Sequence, residues 1–275
     1  MFALTKKIAP AVLAGALIAS VPSAADAGVG DLLVAPTRIL LDGRRGTEII
    51  LNNIGDEPAT YRISVELRRM TPDGDLVDVS DPNAEEKAAE DMIIYAPRRV
   101  TLAPHDPQTI RIAARPPQGL PDGEYRVHLL FRAIPAPAPV AVTPADSPKG
   151  LNLQLIPIYG VTIPVIVRLG NLQAKAGISN VALEKKDGKS LVTLDLSRTG
   201  SRSTYGEVRV LKAGVKDPIA LLKGVAVYTE IGSRHVAVPV DSSYQGEVAG
   251  PVTVQYLETS RDGVDKIAET QAVLR

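Results

Sequence analysis

The sequence predicts an all-β protein built from two antiparallel sandwiches, and three observations carry that prediction. Short runs rich in β-branched residues, many alternating apolar with polar, recur along the body of the chain. Turn residues stand between them: Asp42-Gly43, Gly55-Asp56, Pro72-Asp73-Gly74, Pro121-Asp122-Gly123, Asp187-Gly188 and Asp262-Gly263. The series is interrupted once, by the Pro/Ala-rich "IPAPAPVAVTPADSPKG", which follows neither the helical nor the strand period.

The elements follow in chain order. "MFALTKKIAPAVLAGALIASVPSAADAG" has Lys6 and Lys7, an apolar run from Ile8 to Val21, and small residues ending Ala25-Asp26-Ala27. That order reads as a signal peptide over residues 1–27, because the apolar run is shorter than the roughly 20 residues needed to span a bilayer. The runs "LLVAPTRILL", "TEIILNN", "ATYRISVELRRM", "RVTLAP", "QTIRIAA" and "EYRVHLLFRAI" read as strands of a first domain over residues 28–168. One helical candidate lies among them, "DPNAEEKAAEDM", with Asp81 and Pro82 at its start; its acidity makes it a solvated loop with a helical turn. Residues 134–150 form an extended, mobile loop by composition. "SLVTLDLSR", "GEVRVLK", "LLKGVAVYTEI", "RHVAVPV" and "GPVTVQYLE" are the strands of a second domain over residues 169–275.

Composition excludes several functions. Of 275 residues, 31 are Lys or Arg and 31 are Asp or Glu, so zero net charge implies no bulk attraction to nucleic acid or anionic lipid. Cysteine is absent, which removes thiol catalysis, Fe–S and zinc-finger chemistry and leaves burial to stabilise an exported chain. Aromatic residues make up 4% and tryptophan none, against a stacking platform for sugars or bases. His105, His128 and His235 stand in unrelated segments without metal-ligand spacing, and no nucleophile elbow or phosphate loop occurs. No catalytic constellation, metal site or cofactor is expected.

The stretch "KGLNLQLIPIYGVTIPVIVRLG" is the unusual one. Leu151, Leu153, Leu155, Tyr159, Val161 and Ile163 share one parity, so on a strand they form one apolar row. Pro157 interrupts the row and cannot donate to a ladder, which places this strand at a sheet edge. An apolar edge invites aggregation unless it serves to add a strand to a partner. The alternative is a strand that completes its own sandwich.

In order and spacing, "PTRILLDGRRGTEIILNNIGDEPATYRISV", "IIYAPRRVTLAPHDPQTIRI", "LPDGEYRVHLLFRAIP" and "LNLQLIPIYGVTIPVIVRLG" resemble the periplasmic chaperones of pilus assembly, the PapD-like family. The second domain resembles it more loosely through "LDLSRTGSRSTYGEVRV". The resemblance implies two immunoglobulin-like β-sandwich domains in an L-shaped arrangement, located in the periplasm. It implies a non-enzymatic chaperone that caps pilin-like secreted subunits by donor-strand complementation, a mode of strand addition, and hands them to an outer-membrane usher. The donor strand would be residues 151–167, lending Leu151, Leu153, Leu155 and Tyr159. A free chaperone should expose the row, or hide it only by self-association through the same edge. An exported two-domain structural or adhesive protein is the competing reading.

The resemblance also assigns residues. The arginine of the "TR" motif, Arg38, would anchor the subunit's C-terminal carboxylate, to which a guanidinium can give two parallel hydrogen bonds. The family's second anchor is a lysine on the last strand, where this chain has Pro164. That departure points to a divergent, archaic-like branch in which Arg98, Arg99 or Arg111 is the substitute. Glu124 and Arg168 would pair across the domain junction, with Asp241 or Glu247 as a third acid. Ala96-Pro97 stands at the family's proline turn.

Overall fold

The computed structural model describes residues 32–135, 158–260 and 263–275. The first unit comprises β1 (Leu32–Ala35), β2 (Ile39–Leu41), β3 (Thr47–Asn53), β4 (Ala59–Glu66), β5 (Arg68–Met70), β6 (Leu76–Asp78), α1 (Ala84–Asp91), β7 (Ile93–Ala96), β8 (Arg99–Leu102), β9 (Pro107–Ala114), β10 (Gly123–Ile134) and β11 (Gly160–Leu169). The second comprises β12 (Ala174–Lys186), β13 (Lys189–Gly200), β14 (Thr204–Leu211), β15 (Ala220–Val227), β16 (Ser233–Pro239), β17 (Gly250–Ser260) and β18 (Gly263–Leu274).

Each unit is a sandwich, as the alternation predicts. In the first, the sheet β1-β3-β9-β7 faces the sheet β2-β11-β10-β4-β8. Inward residues of both, such as Ile49, Leu51, Ile110 and Ile112 from one and Tyr61, Leu129, Phe131 and Val165 from the other, make one core. In the second, β12-β13-β16 faces β15-β14-β17-β18 around Leu194, Leu196 and Val238 on one side and Val210, Val254 and Tyr256 on the other.

Three local expectations are corrected. The run "LLVAPTRILL" is two strands: β1 pairs antiparallel with β3, whereas β2 crosses to the opposite sheet and pairs parallel with β11. Pro36, which has no N–H, stands where the first ladder ends. The acidic segment is a regular helix because it carries a full capping box. Asn83, rather than Asp81, accepts from the Glu86 N–H at 2.9 Å, and Glu86 accepts from the Asn83 N–H at 2.8 Å. Ala89 and Met92 are buried in the first core, and Arg69 clamps Glu86 at 2.6 Å. The third correction concerns β11, which is an inner strand over its last part, between β10 and β2.

Its register explains how it tolerates proline. The Ala133 N–H donates to the Tyr159 carbonyl at 2.9 Å, and β10 pairs onward with β11 from Arg132↔Gly160 to Gly123↔Leu169. By the alternation of an antiparallel ladder, backbone groups of odd-numbered β11 residues face β10 and those of even-numbered residues face away. β2 covers only Val165–Val167. The nitrogen of Pro164 therefore lies on the side where a donor is not required. From Gly160 to Pro164 this edge has no strand beside it among the described residues. Ile163, Val165 and Val167 fill the first core, so from Ile163 onward the odd-numbered row completes its own sandwich. Leu151, Leu153 and Leu155 lie outside the described residues. Tyr159 is 56% exposed.

The two sandwiches meet in a mixed junction. Met70 and Ile166 of the first pack on Ala226 and Tyr228 of the second. The hairpin β5–β6 reaches across: the Met70 N–H donates to Glu230 at 2.6 Å, and the Pro72 carbonyl accepts from the His235 N–H at 2.7 Å. Its turn residue Gly74 has φ +89°, and a Cβ there would lie 2.2 Å from the Arg234 Nε. Arg126 stacks on Tyr228 at 3.7 Å and donates to Glu230 through both terminal nitrogens. The Ala35–Pro36 and Ala96–Pro97 peptides are cis.

Candidate functional site

Arg38 sits in the short crossing between β1 and β2, and that crossing carries it to the junction. Its guanidinium lies over the ring of Tyr205, a second-domain residue on β14, at 4.2 Å. Its Nε is buried without a hydrogen-bond partner, and among the described residues no carboxylate pairs with it. Burial lowers its pKa from the ordinary value; the nearby Arg168 lowers it further, while Tyr228 and Glu124 oppose the shift. The group is a cation held by a ring face and its hydrocarbon stem, with its hydrogen-bond donors uncommitted.

The other charges of the cleft are matched. Arg168 donates from Nε to Glu124 at 2.9 Å and from Nη2 to the Ser203 carbonyl at 3.2 Å. Glu124 is fully buried and also accepts from the Ser203 N–H at 3.0 Å. Glu124 and Arg168 thus pair within the first domain, directly opposite on β10 and β11, and it is Ser203 that extends the pair across the junction. Arg202 makes a two-pronged bond to Glu258, both contacts 2.9 Å, and this partner raises its pKa. Arg38, Arg168, Arg202, Tyr205 and Glu258 line one cleft of about 540 Å³. Three guanidinium groups against two carboxylates leave one positive charge, and Arg38 carries it. Chemically the cleft can take a single anion, best a planar one matched to a guanidinium fork.

The substitutes read for Pro164 lie elsewhere. Arg98 stacks on Tyr95 at 5.4 Å, Arg111 reaches toward Glu48 at 3.5 Å with an 84% exposed side chain, and Arg99 is on β8 at the far edge of its sheet. None of them lines the cleft. The cations that share the cleft with Arg38 are Arg168 and Arg202; Arg202, from "LSRTGSRSTYG", was missed because it comes from the other domain. The third acids also differ: Asp241 accepts from its neighbour Ser243 at 2.8 and 2.7 Å, Lys212 binds the backbone of Glu247, and the acid that crosses the junction is Glu230. The histidines do not converge. His105 reaches Asp56 at 3.5 Å, His235 pairs with Asp195 at 2.9 Å, and His128 is buried on β10. Among the described residues no group of His, Asp or Glu could hold a metal, and no helix is long and apolar enough to cross a membrane.

No family model and no curated protein sequence matches the chain. Solved structures do resemble it. The YadV chaperone shares 14% identity with a TM-score of 0.47, covering 89% of this chain and 100% of its own. The CsuC–CsuE chaperone–tip subunit complex from the archaic chaperone-usher Csu pili of Acinetobacter baumannii shares 12%, with a TM-score of 0.45 and coverage of 88% and 97%. The Salmonella enterica SafB chaperone with SafA pilin shares 15%, with a TM-score of 0.44 and coverage of 90% and 98%. The structures it resembles are pilus-assembly chaperones. At these scores and identities the likeness is one of architecture, and what the cleft binds has to be read from its own residues.

Proposed function

We propose that this chain is a non-enzymatic periplasmic chaperone that binds pilin-like subunits by donor-strand complementation through residues 151–167, and that Arg38 anchors the subunit's terminal carboxylate. The observation that carries the reading is the uncommitted Arg38 guanidinium in a cleft where every other cation is matched. The open β11 edge from Gly160 to Pro164 supports it, because an unpaired ladder can receive a strand. The neighbours' own partners, a tip subunit and a pilin, are of the same kind. Leu151, Leu153, Leu155 and Tyr159 would fill the subunit's groove, Arg38 alone would supply the positive charge at the carboxylate, and Glu124 with Arg168 would hold the domain angle. An outer-membrane usher would receive the capped subunit.

A second reading has one observation in its favour: Ile163, Val165 and Val167 complete the chain's own core. On that reading the protein is an exported structural or adhesive module. A pull-down from the native periplasm, with Leu153→Asp and Arg38→Ala beside the wild type, separates the two. Recovery of a small secreted partner that both variants lose supports donation with a carboxylate anchor. If the wild type recovers nothing and Leu153→Asp unfolds the monomer, the structural reading replaces it.

A further inference from the structure

Away from the cleft, the outer face of the β2-β11-β10-β4-β8 sheet carries an unusual row. Arg132 on β10 stands directly opposite Arg62 on β4, and Arg62 stands directly opposite Arg99 on β8. All three are exposed, and their strand neighbours Phe131, Ile63 and Val100 point into the core, so the arginines share the outward face. Among the described residues none of the three has an ion pair, a hydrogen bond from its side chain or a ring beneath it, whereas Arg68 and Arg69 nearby are matched to Glu66 and Glu86. Like charges directly opposite on a sheet oppose its formation.

Among the described residues no carboxylate pairs with the row. Residues 136–157 contain one acid, Asp146, balanced by Lys149. In the adjacent row Thr60 and Thr101 bond hydroxyl to hydroxyl at 2.8 Å, tying β4 to β8 and holding the arginine strands in register.

We propose that Arg132, Arg62 and Arg99 form a docking strip for an acidic protein surface, one that presents carboxylates in a line across three strands. Carboxylate is favoured over nucleic acid because among the described residues no ring lies beneath any of the three guanidinium groups to form a stacking platform for a base. Zero net charge over the whole chain gives no long-range field toward a polyanion or a membrane. Guanidinium forks on a rigid sheet fit carboxylates two-pronged. The strip is separate from the Arg38 cleft and does not depend on its role.

The test uses the mature chain and an extended peptide bearing glutamate at alternate positions, with its glutamine counterpart, oligo-dT and phosphatidylglycerol vesicles as parallel probes. The wild type is expected to bind the glutamate peptide at low salt and not the glutamine one. Arg62→Gln/Arg99→Gln/Arg132→Gln should weaken that binding roughly tenfold, the summed effect of three exposed pairs. The triple variant should melt no lower than wild type, since repulsion is relieved. Arg62→Glu gives an independent check: it can pair with both neighbours, so it should fold and still lose the peptide. Unchanged binding in both variants overturns the proposal. So does tighter binding of oligo-dT or vesicles that the same variants abolish, which would assign the strip to phosphates.

Discussion

His128 should make the stability of this protein fall with mild acid, by an amount that follows from its surroundings. The ring is on β10, 1% exposed, with neither nitrogen hydrogen-bonded among the described residues. Burial, then the positive charges of Arg126 and Arg68, push its pKa down from 6.5 to about 3. The native state therefore keeps this imidazole neutral where an unfolded chain would protonate it. Stability is complete above the unfolded pKa and is lost as pH falls toward the folded one. Because each pKa unit corresponds to about 1.4 kcal/mol, the drop from about pH 7.5 to about pH 5 should remove about 2 kcal/mol through this residue. Glu86 and Asp195, whose carboxyls are lowered by hydrogen bonds from Arg69 and from Asn180 and His235, lose their contributions only at lower pH, below this window.

His128→Leu removes the titration and leaves no unsatisfied ring nitrogen. Urea unfolding of wild type and variant at both pH values reads the difference directly. The variant should match or exceed the wild type at neutral pH and lose about 2 kcal/mol less on acidification. If both proteins lose stability equally between the two pH values, the buried neutral imidazole is not the cause and the reasoning fails.

Three further outcomes follow from single contacts. Glu124→Ala leaves Arg168 without its acid and the Ser203 N–H without an acceptor; with Arg168 25% exposed, able to regain water and still bonded to the Ser203 carbonyl, the loss should sit near the low end for a broken buried pair, about 3 kcal/mol by urea unfolding. Gly74→Ala forces a side chain into positive φ against Arg234 and should cost about 1–2 kcal/mol, with small-angle scattering showing a looser arrangement of the domains. Asn83→Ala removes the capping box of α1 and should lower stability by about 1 kcal/mol in thermal melts.

Much of the fold was legible because strand alternation and turn residues are local signals. The two sandwiches, the strands of "TEIILNN" and "QTIRIAA", and the turns at Asp42-Gly43 and Pro72-Asp73-Gly74 needed nothing beyond neighbouring residues. The sheet change within "LLVAPTRILL" was not legible, because both of its ends are apolar and only their partners differ. The helix was undervalued because its acidity hid Ala89, the one residue of its interior that the core needs. At the site, Arg38 could be named from its motif, whereas Tyr205, Arg202 and Glu230 could not. They come from the other domain, and no sequence spacing reports which second-domain side chains will face the first.

That dependence on two domains constrains how the cleft works. Arg38 is fixed by a ring from β14, and its neighbours Arg168 and Glu124 are tied to Ser203, so the position of the free guanidinium is set by the junction. On the far side of Ile166 the same junction is held by Arg126 on Tyr228 and by Glu230 under the β5–β6 hairpin. Among the described residues a first-domain cation stacked on a second-domain tyrosine thus occurs twice, and of the two it is Arg38 that has no acid partner. With Arg126 the stack is closed by Glu230 and becomes part of the joint. With Arg38 the equivalent charge is left over, which is why an anion supplied from outside is the group that would complete it.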